Sequence, residues 1–167
     1  MNSKSVAALE IRSLRDQTEA EVCARMMASS EPWITLRRDY EAALKILIEP
    51  EREVYLAVHV GEIVGFTIIV LRGAFVGYIQ SICVAAEWRG KGVGNRLLAY
   101  AEDRIFNETP NVFLCVSSFN QGARRLYERL GYEVVGELKD YVVAGHSEFL
   151  LRKFLTPLSE FKKNNKS

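Results

Sequence analysis

Apolar positions along this chain recur with two periods, and the switch between them marks the elements. A short strand is predicted over Leu9 to Arg12, and Asp16 to Ser29 carries Val22, Ala24, Met26 and Met27 among charges, which predicts a helix. Ser29, Ser30, Glu31, Pro32 and Trp33 interrupt it. A second helix follows from about Arg38 to Ile48, with Tyr40, Ala43, Leu44, Leu47 and Ile48 on one side and Pro50 as its stop. From Val54 the period shortens to two: Val54, Leu56 and Val58 alternate with Tyr55, Ala57 and His59. Val60-Gly61-Glu62 then turns the chain into Ile63 to Leu71, a hairpin signal. A third apolar run from Phe75 to Val84 completes three strands with short links, which favours antiparallel neighbours.

Beyond Arg89 to Gly94 the longer period returns, with Val93, Leu97, Leu98, Ala101 and Ile105 along one helix face. Val112 to Val116 is a continuous apolar run, as expected of a buried strand. Asn120 opens another helix striped by Ala123, Leu126, Tyr127 and Leu130 and ended by Gly131. Tyr132 to Leu138 and Glu148 to Phe154 read as closing strands. The order β, α, α, three strands, α, β, α, two strands predicts an α+β (three-layer α/β) domain: a mixed, mostly antiparallel seven-stranded sheet with helices on both faces. Strands linked by the helices that begin near Gly94 and Asn120 should be locally parallel. No internal repeat is visible, and residues 155–167 read as a basic C-terminal tail after a single domain over residues 1–154.

Composition narrows the function. The 167 residues are 49% hydrophobic, and 22 Lys and Arg face 21 Asp and Glu for a formal charge of +1. A chain of this length buries roughly 70% of its unfolded surface and needs no staples. Near-neutral charge argues against bulk attraction to nucleic acid, because counterion release scales with clustered cations. No nucleic-acid partner is expected. Cys23, Cys83 and Cys115 are far apart and include no CxxC pair, and the only histidines are His59 and His146, so neither a metal centre nor a disulfide framework is expected. The start lacks the apolar run of a signal peptide and no stretch reaches the roughly 20 apolar residues of a span, so the reading is cytoplasmic, without a membrane partner.

The densest glycine cluster, Arg89-Gly90-Lys91-Gly92-Val93-Gly94, joins an apolar strand to an amphipathic helix. Such a loop is an anion cradle: glycine lets the backbone approach a phosphate, and the helix's first N–H groups and dipole favour negative charge. Arg89 and Lys91 add mobile cations. A Walker loop would need Gly-Lys-Ser or Gly-Lys-Thr where Gly94-Asn95-Arg96 stands, and a dinucleotide fingerprint would need glycine where Leu97 stands. A tight strand-to-helix turn is the bland alternative.

What remains, Arg89-x-x-Gly92-x-Gly94, resembles the R/Q-x-x-G-x-G/A signature of the GNAT superfamily of N-acetyltransferases. Asn120, Ala123, Tyr127 and Gly131-Tyr132 resemble the second signature, N-x-x-A-x-x-x-Y-x-x-x-G-F/Y. The likeness covers roughly Leu9 to Phe154. Within the superfamily the chain looks most similar to the ribosomal-protein-alanine N-acetyltransferases and their small bacterial relatives, through Pro32-Trp33, Ile82-Cys83-Val84, Asp140-Tyr141, Gly145-His146 and Glu148. Those enzymes carry a glutamate base five residues before the asparagine, where this chain has Cys115.

The resemblance implies acetyl-CoA as co-substrate, no metal, and transfer of the acetyl group by direct attack of a primary amine. It implies that Ile82, Cys83 and Val84 bind the acetyl-pantetheine through their main chain, with an N–H near Val84 polarising the thioester carbonyl. The pyrophosphate would fall to Arg89, Gly90, Lys91, Gly92, Val93 and Gly94. Asn120 would touch the cofactor arm as well as cap its helix, and Arg124 would reach a phosphate or lie exposed. Tyr127 would face the CoA sulfur as general acid or pack in the helix stripe. Trp33 and Tyr141 would shape the acceptor pocket. With Cys115 at the base position, the proton acceptor is sought among Glu148, Asp140, His146 or a held water. Glu148 leads, because an acid is unexpected in an otherwise apolar final strand; a cross-strand salt bridge is its alternative role. Cys115 as an acyl carrier, a catalytically weak acetyl-CoA-binding regulatory module, and a transferase acting on charged tRNA remain open readings. Monomer and homodimer are both compatible with the sequence.

Overall fold

A computed structural model describes residues 8–162. The elements are β1 (Leu9–Ser13), α1 (Gln17–Ala28), α2 (Tyr40–Leu47), β2 (Arg52–His59), β3 (Glu62–Val70), β4 (Tyr78–Val84), α3 (Val93–Phe106), β5 (Asn111–Ser117), α4 (Gln121–Arg129), β6 (Glu133–Leu138) and β7 (Glu148–Phe154). The seven strands form one sheet in the order β1-β2-β3-β4-β5-β7-β6. Every neighbouring pair is antiparallel except β4 and β5.

Local chemistry accounts for the element ends. Asp16 and Asp39 cap α1 and α2 by accepting from the Glu19 and Ala42 N–H groups, each at 2.9 Å. The β2–β3 turn places Val60 and Gly61 both at positive φ (48° and 79°), the twist that a two-residue hairpin needs. Gly131, at φ 93°, ends the α4 region as expected.

Strand alternation sorts the core. Val54, Leu56, Val58, Phe66, Ile68 and Cys83 face α1 and α2. The opposite face packs Ile69, Ile79, Val112, Leu114, Val116 and Leu151 against α3, with Ala123 and Tyr127 of α4 at its margin. Trp88, Val93 and Leu97 form a third cluster with Leu9, Ala57 and Val64.

Four expectations are corrected. The run from Phe75 is a strand only from Tyr78, because Gly73 and Gly77 adopt positive φ (94° and 91°) and leave Phe75 and Val76 in an exposed loop. The helix after Asn120 does not create a second parallel neighbour: β7 lies between β5 and β6, antiparallel to both. On α1 the fully covered positions are Ala20, Cys23, Ala24 and Met27, whereas Val22 and Met26 are half-buried. No residue of α4 is fully buried, since this helix lies over the sheet margin. Residues 163–167, the larger share of the tail's cations, lie outside the described residues. Among those described, no helix is long and apolar enough to cross a membrane.

Candidate active site

The parallel pairing of β4 with β5 stops after Tyr78–Phe113 and Ile79–Leu114. Its cause is local. Ile79 pairs with Ile69 and Ser81 with Ile68, so Gln80 is an unpaired extra residue, and a bulge bends the strand that carries it. Beyond Gln80, β4 diverges from β5 and the sheet opens into a V.

That opening leaves a strand edge available. The Ala85 N–H donates to the Val64 carbonyl at 2.9 Å, so by antiparallel alternation Cys83 and Ser81 bond β3 while Val84 and Ile82 turn their main-chain groups toward the V. The Val84 carbonyl accepts from Arg89 Nε at 3.1 Å, which leaves the Val84 N–H to the opening. The side chains behave otherwise: Cys83 is buried beside Ser30, and burial pushes its thiol up to about 11. Ile82 and Val84 are half-buried against the core.

A cavity of about 180 Å³ occupies the V. Ile82, Asn120, Ala123 and Tyr127 line it on the α4 side. Pro32, Trp33, Arg38, Tyr78, Cys115, Ser117, Tyr141 and Glu148 line it on the other. Glu148, only 5% exposed, accepts from Ser117 Oγ at 2.6 Å across the β5–β7 pair, so its cross-strand partner is a hydroxyl and not a cation. Burial raises its carboxyl above the ordinary carboxylate range, while the Ser117 bond and the charges of Arg38 and His146 pull it back. Tyr78 lies against the Cys115 thiol, and burial raises both hydroxyl and thiol. A thiol held protonated is a poor acyl carrier.

Tyr127 is half-buried at the cavity wall, and burial pushes its hydroxyl up to about 12. Asn120 does cap α4, its Oδ1 accepting from the Ala123 N–H at 3.3 Å while the residue lines the cavity. Asp140 is committed elsewhere: it accepts from the Gly145 N–H at 2.7 Å and holds its own loop. His146 stacks edge-on against Phe119 at 5.0 Å. Trp33 is buried and anchors its loop, whereas Tyr141 is 64% exposed at the rim. Arg124 is bound to Glu128 at 3.0 Å and covers the Phe149 ring at 4.2 Å.

The glycine loop lies where β4 hands over to α3. Gly90 and Gly92 adopt positive φ (71° and 85°), and a Cβ on either would meet no protein atom. Gly92 begins α3 without a side-chain cap, so the first N–H groups of this 14-residue helix are not taken by a capping side chain. Val93 is core, and only its main chain is available. A Cβ on Gly94 would make ordinary contact with Val84 at 3.7 Å. Lys91 lies over the Trp88 ring. Arg89 is not the mobile cation its sequence position suggested: it also donates to Ser30 Oγ at 3.0 Å, tying the loop that bears Trp33 to the end of β4.

An open strand edge beside an uncapped helix N-terminus and a glycine loop is the layout that the two sequence signatures require. The acetyltransferase (GNAT) family model matches residues 15–132. The chain belongs to the GNAT family. It is 31% identical over 102 residues to the N-alpha-acetyltransferase MAK3 of Arabidopsis thaliana, covering 59% of this chain and 54% of that one; the chain thus spans about half the length of this curated relative. Its fold matches the ribosomal-protein-S18-alanine N-acetyltransferase of Escherichia coli with a TM-score of 0.68 at 19% identity, over 93% of this chain and 97% of that one. An aminoglycoside 6′-N-acetyltransferase complexed with coenzyme A matches with a TM-score of 0.68 at 18% identity, over 89% and 98%. The free main-chain edge at Ile82 and Val84 and the open space above Gly90 and Gly92 are the features into which acetyl-CoA would fit. Among the described residues no cluster of three His, Cys, Asp or Glu side chains could hold a metal.

Among the cavity residues that the sequence did not mark as part of the site, Arg38, Tyr78 and Ser117 bear on the chemistry. Ser117 and Tyr78 carried a faint signal, as polar atoms at the ends of apolar runs on the sheet face of Cys115. Arg38 read only as the first residue of the second helix, which begins instead at Tyr40 after the Asp39 cap.

Proposed function

We propose that this chain is an acetyl-CoA-dependent N-acetyltransferase, folded as one transferase domain over residues 1–154, that moves an acetyl group to a primary amine in a ternary complex. One observation carries the reading: a single cavity in the β4–β5 opening is lined by Ile82, on the free edge that continues to Val84, and by Tyr127 on one side, and by a buried carboxylate, Glu148, on the other. The thioester of acetyl-CoA supplies the activated acyl group.

The residues then divide the work. A primary ammonium near pKa 10 is neutral in about one molecule per thousand at pH 7, a cost of roughly 4 kcal/mol, so the acceptor needs a base. Glu148 takes that proton, and its raised affinity for protons brings it closer to the working pH than an exposed carboxylate would be. The Val84 N–H stabilises negative charge on the carbonyl oxygen, a contribution of about 3 to 4 kcal/mol for a well-placed donor. The new bond joins nitrogen to the acyl carbon, the carbon–sulfur bond breaks, and the second proton shed by the acylated nitrogen passes to the departing thiolate directly or through water. Tyr127 donates a hydrogen bond to the departing sulfur. With its own pKa near 12 against about 8.5 for a thiol, full proton transfer would run uphill by roughly 5 kcal/mol, so hydrogen bonding is its contribution. Trp33 and Tyr141 bound the acceptor.

The free Cys23, Cys83 and Cys115 agree with a reducing, cytoplasmic setting. Release of free thiol from acetyl-CoA, followed across amines, amino acids, peptides and polyamines, tests the function. Turnover that needs both acetyl-CoA and an amine is the expected result. Tight coenzyme binding with no turnover across the panel would instead support a binding module.

A further inference from the structure

The loop between α1 and α2 is held rigidly. The Ile34, Leu36, Arg37 and Arg38 N–H groups donate back to Ser30, Pro32, Ile34 and Trp33 carbonyls at 2.9 to 3.2 Å, and Ser30 Oγ donates to Met26 O at 2.7 Å. Asp39 is occupied capping α2. Arg38 is thereby set at the wall of the cavity.

The state of its guanidinium is unusual in this molecule. The other half-buried arginines all have a partner: Arg12 with Glu19, Arg52 with Gln80 and Glu49, Arg104 with Glu53, Arg124 with Glu128 and Arg152 with Asn111. Arg38 has no side-chain hydrogen bond or ion pair among the described residues. Its charge is felt by Glu148 and by Arg52 on either side, yet it pairs with neither. A half-buried cation without a counterion is costly unless a ligand supplies one, and guanidinium matches a carboxylate's two oxygens. Arg38 also lies with Trp33, Tyr78 and Glu148, on the sheet face opposite α3 and its anion loop. The anion it awaits therefore enters with the acceptor and not with the phosphates of the coenzyme.

We propose that Arg38 binds an anionic group of the acceptor, a carboxylate or its equivalent, held a few bonds from the amine that faces Glu148. This rests on the acetyltransferase reading and adds the substrate class: an acidic primary amine, as in a free amino acid or a peptide whose first residue is acidic. Polycationic amines are selected against by the same charge.

Matched acceptors decide it. β-Alanine against β-alaninamide probes the free amino acid, and peptides beginning Glu against Gln probe the chain terminus. The carboxylate member of at least one pair is expected to have a kcat/KM about 10- to 100-fold higher, expressed in KM. Arg38→Gln should erase that preference and leave the KM for acetyl-CoA unchanged, Arg38→Lys should restore part of it, and Arg38→Glu should reverse it. Equal kinetics within both pairs in the wild type, or a preference that survives Arg38→Gln in folded protein, overturns the proposal. Thermal shift with the same pairs in the presence of CoA separates the two readings. A carboxylate preference in binding without turnover upholds Arg38 and defeats the enzyme; turnover with no preference does the reverse.

Discussion

Glu148 and Tyr127 share one cavity, and burial moves both the same way with opposite consequences for chemistry. A carboxyl raised by burial is a better base and a hydroxyl raised to about 12 is a weaker acid. Glu148→Gln should therefore lower kcat/KM by about 10²- to 10⁴-fold while leaving the affinity for CoA intact, as read by steady-state kinetics and calorimetry. The pH profile carries the sign. The base works only when ionised, so activity should fall as pH drops through a pKa above the ordinary carboxylate range, and the variant should lose that acidic limb. Because the folded pKa is raised, the wild type should also lose stability relative to Glu148→Gln as pH rises through that same value. Tyr127→Phe should reduce kcat about 10- to 100-fold, the effect of one hydrogen bond to a developing anion. The wild-type kcat profile should show no limb from Tyr127 below pH 10, and the variant should lose none there, since a hydroxyl near 12 does not ionise in that range. Unchanged kcat in folded Tyr127→Phe would reduce this residue to packing against Tyr132, whose ring lies 5.7 Å away.

Two turns built on positive φ make opposite demands. At the β2–β3 hairpin, a β-branched Val60 occupies a left-handed conformation at 86% exposure, so its side chain gains almost no burial in return for the steric cost. Val60→Asn completes an Asn-Gly turn and should stabilise the fold by about 1 kcal/mol, a rise in Tm of about 2 to 4 °C. In the loop ahead of α3, Gly92 adopts the same region with free space where its Cβ would project. Gly92→Ala should cost about 1 kcal/mol in stability and also weaken CoA binding about tenfold, because the methyl group enters the space assigned to the pyrophosphate. Gly73→Ala is the control. Gly73 has φ 94° and equally open surroundings but lies in the loop before β4, so it should show the stability loss with CoA affinity unchanged. Equal affinity loss in both variants would refute the cradle.

At the scale of the molecule, the parts that were legible in the sequence are those written by local chemistry. The hairpin, the capped helices and the glycine loop each declare themselves within a few residues. The insertion of β7 between β5 and β6 is a choice between distant partners, and two short strands of similar character carry no local mark of it. The same holds for the opening in the sheet: a bulge at Gln80 is visible only in register with β3. Arg38 is a functional candidate only through what faces it across that opening, so its type and spacing revealed nothing, and Ser117 showed only as a polar residue at the end of an apolar run. The opening also divides the sheet, since β4 and β5 share two register pairs while α3 packs against strands on both sides. A ligand laid along the Val84 edge and against α4 joins the halves. CoA at about 100 times its dissociation constant should add roughly 2.7 kcal/mol and raise Tm by about 5 to 10 °C. Hydrogen exchange then locates the bond: the Ile82 and Val84 amides, unpaired in the free protein, should slow on CoA addition, whereas β6, also an edge strand, should exchange as before. Protection confined to the glycine loop, with Val84 unaffected, would show that the coenzyme holds by its phosphates alone and that the Val84 N–H is not the oxyanion donor.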